Sequence, residues 1–279
     1  MELLDANGLT EEQYLKQYDP GDYPQPSMTV DIVVFTVADI QGDNYRKLPE
    51  KELRVLLIRR GGHPYIDHWA LPGGFVNPDE TVGEAANREL EEETGIRGGY
   101  LEQLYTFSKP GRDPRAWVIS CAHMALIDSS KLTLQAGSDA ADARWFKITA
   151  EEKSGMDCLT MVNENIRLGA YVTQESYGME RKITDNDGLA FDHAEMIACA
   201  IGRLRAKIEY TDLVFRLMPE RFTLTQLQQV YEAILGKPLY KAAFRRKIMD
   251  YVSETGMYTQ DAGHRPSQLF MRRRINRFT

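Results

Sequence analysis

Gly74-Phe75-Val76-Asn77-Pro78-Asp79-Glu80-Thr81-Val82-Gly83-Glu84-Ala85-Ala86-Asn87-Arg88-Glu89-Leu90-Glu91-Glu92-Glu93-Thr94-Gly95-Ile96 is the stretch from which the fold is read. Ala85, Ala86, Glu89, Leu90 and Glu93 recur at helical spacing, which predicts one helix over 81–94, opened by Asp79 or Thr81 and closed at Gly95. Glu89, Glu92 and Glu93 then stand at i, i+3 and i+4, and their carboxylates share one patch about a turn long. Exposed like charges so placed repel by about a few tenths of a kcal/mol per pair, and a purely structural helix has no use for that. A hard divalent cation does. Mg²⁺ or Mn²⁺ takes oxygen ligands and completes an octahedral shell with waters and phosphate oxygens. Glu89, Glu92 and Glu93 are the expected ligands, with the Gly73 carbonyl as a further oxygen. Arg88 is placed to pair with a neighbouring glutamate and hold its rotamer. Gly73 and Gly74 let the backbone come close just before the helix.

The chain has 279 residues, natural for two domains, and its 43% apolar content is ample for real cores. No apolar run reaches the about eighteen residues of a membrane span, and Met1-Glu2-Leu3-Leu4-Asp5 lacks a basic segment before an apolar one, so a cytoplasmic protein without membrane partners is expected. Cys121, Cys158 and Cys199 are far apart and fit reduced thiols; the five histidines show no metal-ligand spacing. The net charge of −7 is unevenly spread: residues 203–279 hold 15 Lys and Arg against 7 Asp and Glu, a net of +8, leaving −15 for residues 1–202. An acidic body suits metal chemistry, and a basic C-terminal part suits a polyanion such as DNA.

Thr10-Glu11-Glu12-Gln13 predicts a capping box and a short helix to Gln17, followed by a Pro-rich arm. Met28–Val37, Leu53–Arg60, Trp69–Val76, Tyr100–Tyr105, Ala116–Ile127 and Ala143–Phe146 read as strands of a mixed sheet with helices on its faces, an α/β (α+β) arrangement. Residues 151–188, with short strand candidates at Leu159–Val162 and Ala170–Thr173, read as an insertion or hairpin. Ile197, Ile201, Leu204 and Ile208 predict a closing helix from Asp192. Thr223 or Thr225 then caps a helix that breaks at Gly236-Lys237-Pro238, and a second runs from Tyr240 to Ser253, a helix-turn-helix candidate. Met257–Arg274 reads as two strands joined at Gly263-His264-Arg265-Pro266, like a wing.

The fixed points Gly74, Glu80, Arg88-Glu89-Leu90, Glu92-Glu93 and Gly95-Ile96 match the Nudix box, and from Val30 onward the chain resembles Nudix proteins with a C-terminal winged helix. The likeness rests also on Trp69–Val76, Tyr105-Thr106-Phe107, Gly111-Arg112-Asp113-Pro114-Arg115, Ala190-Phe191-Asp192-His193, Phe222-Thr223-Leu224 and Gln228-Gln229-Val230-Tyr231-Glu232. That group includes NAD-related Nudix transcriptional repressors and relatives that hydrolyse ADP-ribose. The resemblance implies a Nudix fold over 28–208, with the insertion at 151–188, a winged helix over 209–279 and an N-terminal helix and arm over 1–27. The insertion and the arm depart from the common pattern.

What it implies for function is a metal-dependent pyrophosphohydrolase acting on ADP-ribose or a related nucleoside diphosphate derivative, with Glu92, Glu93 and Arg88 in the catalytic machinery. The alternative is a transcriptional regulator whose Nudix domain senses ADP-ribose. Arg59 and Arg112 are candidate phosphate contacts, because a guanidinium is a fixed fork of donors. Asp139 or Asp142 is a candidate for orienting water. Phe35 and Phe191 are candidates for stacking an adenine, with Asp192 or His193 near its polar edge. Lys241, Arg245, Arg246 and Arg265 are the expected contacts to double-stranded DNA, bound by a homodimer, and the N-terminal arm is an exchange candidate.

Overall fold

The computed structural model describes residues 3–40, 49–131, 143–174, 181–259 and 266–273. Helix α1, Glu11–Gln17, begins with the expected capping box between Thr10 and Gln13, and none of its residues is buried. Strands β1 (Ser27–Asp39), β2 (Lys51–Arg59), β3 (Trp69–Ala70) and β4 (Gly73–Phe75) precede helix α2 (Val82–Thr94). Then come β5 (Tyr100–Phe107), β6 (Val118–Ile127), β7 (Ala143–Lys153), β8 (Met156–Asn163), β9 (Ile166–Gln174) and β10 (Arg181–Asp187), and helix α3 (His193–Tyr210) closes the domain. Among the described residues the strands form one ten-stranded sheet ordered β10-β9-β8-β7-β2-β1-β6-β5, with β3 paired to β2 and β4 to β1. β1 and β6 run parallel and β1 and β2 antiparallel, so the sheet is mixed.

Alternation along β1 divides the core. Val30, Ile32 and Val34 face α2, packing with Ala85, Ala86 and Leu90, whereas Val33, Phe35 and Val37 face the side covered by α3. Phe35 is therefore wholly enclosed in the second core, and its expected role in stacking a ligand is corrected: a ring with no accessible surface can only pack.

Within 151–188 the two strand candidates fall in β8 and β9, which pair as a hairpin. The described residues of this stretch also continue the main sheet, because β7 runs on to Lys153 and β8, β9 and β10 add antiparallel to its edge. Ile148, Leu159, Met161, Leu168, Ala170 and Val172 carry the second core outward along the extension, and α3 packs on β8, β9 and β10.

Beyond a 3-10 turn at Leu213–Leu217, Thr223 caps helix α4 (Leu224–Leu235) and Gly236 ends it in the left-handed region at φ 69°. Helix α5 (Lys241–Ile248) is shorter than expected. A 3-10 turn at Met249–Tyr251 stops it, and the chain turns into β11 (Val252–Tyr258), burying Val252; β11 pairs with β12 (Gln268–Arg272). The wing tip at Gly263-His264-Arg265 lies outside the described residues. α4 packs on β2, and Leu227, Val230 and Ile234 join the core that α3 covers. No described helix is long and apolar enough to cross a membrane.

Candidate functional site

β4 lies across the start of β1, pairing Gly73 with Asp31 and Gly74 with Val30. Gly73 has no room for a side chain, since a Cβ there would stand 2.9 Å from Asp31 Cα, and at Gly74 a Cβ would stand 2.6 Å from Glu89 Cδ and displace that carboxylate. The close approach lets the Gly73 N–H donate to Glu93 Oε2 at 2.8 Å. Thr81 caps α2 with a full capping box, and Gly95 closes the helix at φ 69°.

The carboxylates of α2 are held in two ways. Glu93 is half-buried, and burial pushes its carboxyl up to about 8 against the lowering bond from Gly73; the charges of Glu89 and Asp31 push the same way as burial. Arg88 gathers the rest. Its guanidinium donates to Glu80 at 2.6 and 3.0 Å, to Glu89 at 2.7 Å, to Glu92 at 3.1 Å and to the Phe75 carbonyl at 3.1 Å. Those bonds push Glu80 down to about 2. A carboxylate raised by burial and by like charges, in an all-oxygen set, is what a hard divalent cation relieves, so the residues present fit the ion. Among the described residues no three Asp, Glu, His or Cys side chains already form a cage; Arg88 holds Glu89 and Glu92 where a cation would compete for them.

Beside Glu93 opens a cavity of about 200 Å³. Arg60, Arg112 and Arg115 line it together with Phe75, Phe191 and His193. The Arg60 guanidinium lies 4.9 Å from the Phe191 ring centre, and Arg115 lies 5.7 Å from that ring and 5.4 Å from Phe75. Arg60 donates to the Pro64 carbonyl at 2.8 Å, and burial together with the charge of Arg115 lowers its pKa. Phe191 takes a φ of 49°, a left-handed conformation costing about 1–3 kcal/mol for a side-chain-bearing residue. Tyr65, 4.7 Å away centre to centre, supports its ring.

A buried polar layer sets these groups. Arg112 grips Asp192 with two bonds of 2.7 and 2.8 Å and lies 3.6 Å from Asp31. Leu71 N–H donates to His193 Nδ1 at 2.9 Å, while His193 Nε2 lies 3.3 Å from Asp31 and Ser120 Oγ donates to Asp31 at 2.5 Å. Burial alone would raise the Asp31 pKa, but His193, Arg112 and Ser120 outweigh it and hold the carboxylate charged.

The structure thus brings Gly73, Glu89, Glu93, Arg112 and Phe191 together. Arg59 is corrected: it points outward to Asp67 at 3.2 Å, and Arg60 takes the cavity. Strand alternation carries the signal, since Arg60 stands two residues beyond Ile58, which lines the cavity as well. Asp192 and His193 build the wall from within. Arg115 and Asp31 were not foreseen, because their placement depends on a loop and on a buried pairing. Asp139, Asp142 and Arg265 lie outside the described residues. Larger hollows of about 550 and 600 Å³ lie on the polar face of β7–β9 and beside the Leu213–Leu217 turn; neither gathers the carboxylates and guanidiniums found here.

On the winged helix, Lys241, Arg245, Arg246 and Lys247 are exposed. Phe244 and Ile248 bury the inner face of α5, so at 3.6 residues per turn Arg246 stands opposite them and Arg245 to one side. Between the two domains, Arg205 of α3 donates to the Ile234 carbonyl of α4 and to the Ala150 carbonyl of β7, both at 2.9 Å.

A two-faced mixed sheet with a carboxylate helix laid over a Gly-Gly strand, joined to a winged helix, defines a Nudix protein of the two-domain type. Residues 16–157 match the NUDIX domain family, and residues 214–271 match the NrtR DNA-binding winged helix domain. The chain is 36% identical over 271 residues to an ADPR responsive transcriptional repressor of Acinetobacter baylyi, covering 96% of this chain and 90% of that protein. It is similar to a MutT/nudix family protein from Enterococcus faecalis, at a TM-score of 0.71 and 31% identity over 93% of this chain and 91% of that one. It is also similar to Shewanella oneidensis NrtR complexed with a 27mer DNA, at a TM-score of 0.61 and 29% identity over 88% and 93%. The chain belongs to the Nudix family, in the form that carries an NrtR winged helix.

Proposed function

We propose that this protein is a cytoplasmic DNA-binding regulator whose Nudix pocket binds ADP-ribose, and that the same pocket hydrolyses the ligand's pyrophosphate when Mg²⁺ or Mn²⁺ is present. The observation that carries the reading is α3. Its start is tied into the pocket through Asp192 and His193, and Arg205 further along holds the winged helix. One rigid element therefore answers to both ends. The near-full-length likeness to an ADPR responsive repressor supports the ligand.

In this reading Arg60 and Arg115 hold phosphate oxygens, Arg112 keeps the wall charged and fixed, and Phe191 stacks a base. Glu89, Glu92, Glu93 and the Gly73 carbonyl would hold the cation. When bound, such an ion neutralises a diphosphate and lowers the pKa of an attacking water. The intact carboxylate set favours turnover beside sensing, and so does a 39% identity over 118 residues with an ADP-ribose pyrophosphatase of Methanocaldococcus jannaschii. Glu93→Gln is expected to abolish metal-dependent release of phosphomonoester from ADP-ribose while leaving the thermal midpoint close to that of the parent. Undiminished turnover in that variant would sink the hydrolytic half.

The winged helix is assigned to duplex DNA, with Arg246 aimed at base edges and Lys241, Arg245, Lys247 and Arg265 at phosphates. A homodimer is part of the proposal. Leu3 and Leu4, and Tyr14 and Leu15 of α1, are exposed among the described residues. A cavity of 200 Å³ is also below the about 300 Å³ usual for a whole small-molecule site, which leaves part of the ligand for an open cleft or a second copy. Sedimentation of a monomer at micromolar concentration would contradict the dimer.

A further inference from the structure

The face that the winged helix offers to solvent is not uniformly basic. Tyr240 is 90% exposed, more than any other aromatic side chain among the described residues. It occupies the N-cap of α5, where Ser, Thr, Asp or Asn would satisfy the helix's free N–H groups, and its own side chain makes no capping bond. Packing does not hold it: Phe244 and Ile248 are the residues the helix buries, and Tyr240, four residues before Phe244, carries its ring out to solvent. Ala243, three residues on and so on the same flank, is exposed, and Ala242 is exposed on the outer face with Arg246. The leading end of α5 thus presents a ring and two methyl groups, flanked by the cations Lys241, Arg245, Arg246 and Lys247.

An apolar strip inside a basic face has one natural counterpart on duplex DNA. The major groove carries a single apolar marker, the C5-methyl of thymine. The N-terminal residues of a helix-turn-helix recognition helix are those that meet base edges, and two alanines keep the backbone low enough to come near. We infer that Tyr240, with Ala243 beside it, is a specificity-determining contact that selects thymine by its methyl group where the start of α5 enters the groove. The inference rests on the reading of this domain as a duplex-DNA binder. It assigns sequence discrimination to a residue with no charge, whereas the cations supply affinity.

The test uses the full-length protein and a duplex enriched by it from a random pool. Fluorescence anisotropy titrations are then run on that duplex and on versions in which each thymine in turn is replaced by deoxyuridine, which lacks only the methyl. The parent protein is expected to lose about fivefold or more in affinity at one or two thymines per half-site. Tyr240→Ala is expected to lose as much on the unmodified duplex and to become indifferent to those same replacements, whereas Tyr240→Leu retains part of the discrimination. The dependence of affinity on salt, which counts phosphate contacts, stays unchanged in Tyr240→Ala and becomes shallower in Arg245→Ala. Equal uracil sensitivity in the parent and Tyr240→Ala overturns the inference while leaving DNA binding intact. A Tyr240→Ala effect on sedimentation rather than on DNA overturns it in favour of a protein contact. Failure of the parent to bind any duplex at low salt removes the reading of the domain as well.

Discussion

Phe35 and Phe191 show what a residue's type conceals and its setting decides. Both are aromatic, yet Phe35 has no accessible surface and Phe191 lines the cavity under two guanidiniums. Phe35→Ala is expected to cost about 3–5 kcal/mol of stability, as a large side chain removed from a closed core does. Phe191→Ala is expected to leave chemical denaturation nearly unchanged and to weaken ADP-ribose binding by calorimetry about tenfold, the scale of a desolvated stacking or cation–π contact. Reversal of that pattern would mean that the cavity is misassigned. Asp113 gives a prediction in pH. Burial pushes its carboxyl up, but the Arg115 guanidinium and N–H outweigh burial and hold it below the usual carboxylate range. A depressed folded-state pKa stabilises the protein above the unfolded value near 3.9 and loses that contribution as pH falls through the folded one. The gap in melting temperature between the parent and Asp113→Asn should accordingly stay level above about pH 5 and close as the pH drops below about 4. A gap that widens in acid would show that the pair does not hold the loop.

At the scale of elements, legibility followed the range of the interactions. The helix start at Thr10 and the stops at Gly95 and Gly236 were readable, and the other two starts were narrowed to Asp79 or Thr81 and Thr223 or Thr225, of which the structure takes Thr81 and Thr223, because caps are built from residues three or four apart. The carboxylates of α2 were readable for the same reason. β8, β9 and β10 were not placed, since only pairing to the edge of β7 tells an insertion from a continued sheet. Arg60 and Arg59 differ by one position, and the face a strand residue takes depends on what covers each side. Arg115 and Asp31 depend on pairings over long sequence separations, invisible to spacing. α3 was foreseen as a closing helix but not as the link between sites. Arg205→Ala would leave two part-buried carbonyls, of Ile234 and Ala150, without this donor. It is expected to lower stability by about 1–3 kcal/mol and to reduce the response of DNA affinity to ADP-ribose while each ligand still binds alone. Full retention of that response in Arg205→Ala would remove this contact from the link.

For the whole molecule, the uneven charge and the shared core belong together. An acidic Nudix body and a basic winged helix would repel different partners, yet Leu227, Val230 and Ile234 of α4 are buried in the same core as α3 and the sheet. A ligand that favours one arrangement of that core over another must shift DNA affinity, and by linkage DNA must shift the ligand's affinity equally. The most direct measurement is a titration of the enriched duplex with full-length protein, by mobility shift or anisotropy, with and without saturating ADP-ribose and with EDTA present to prevent turnover. The account predicts that ADP-ribose changes the dissociation constant by about 5- to 150-fold and that Phe191→Ala needs about tenfold more ligand to produce the change. Superimposable binding curves with ligand bound at the Nudix pocket would contradict it, leaving a hydrolase and a DNA-binding domain that share a core without sharing a signal.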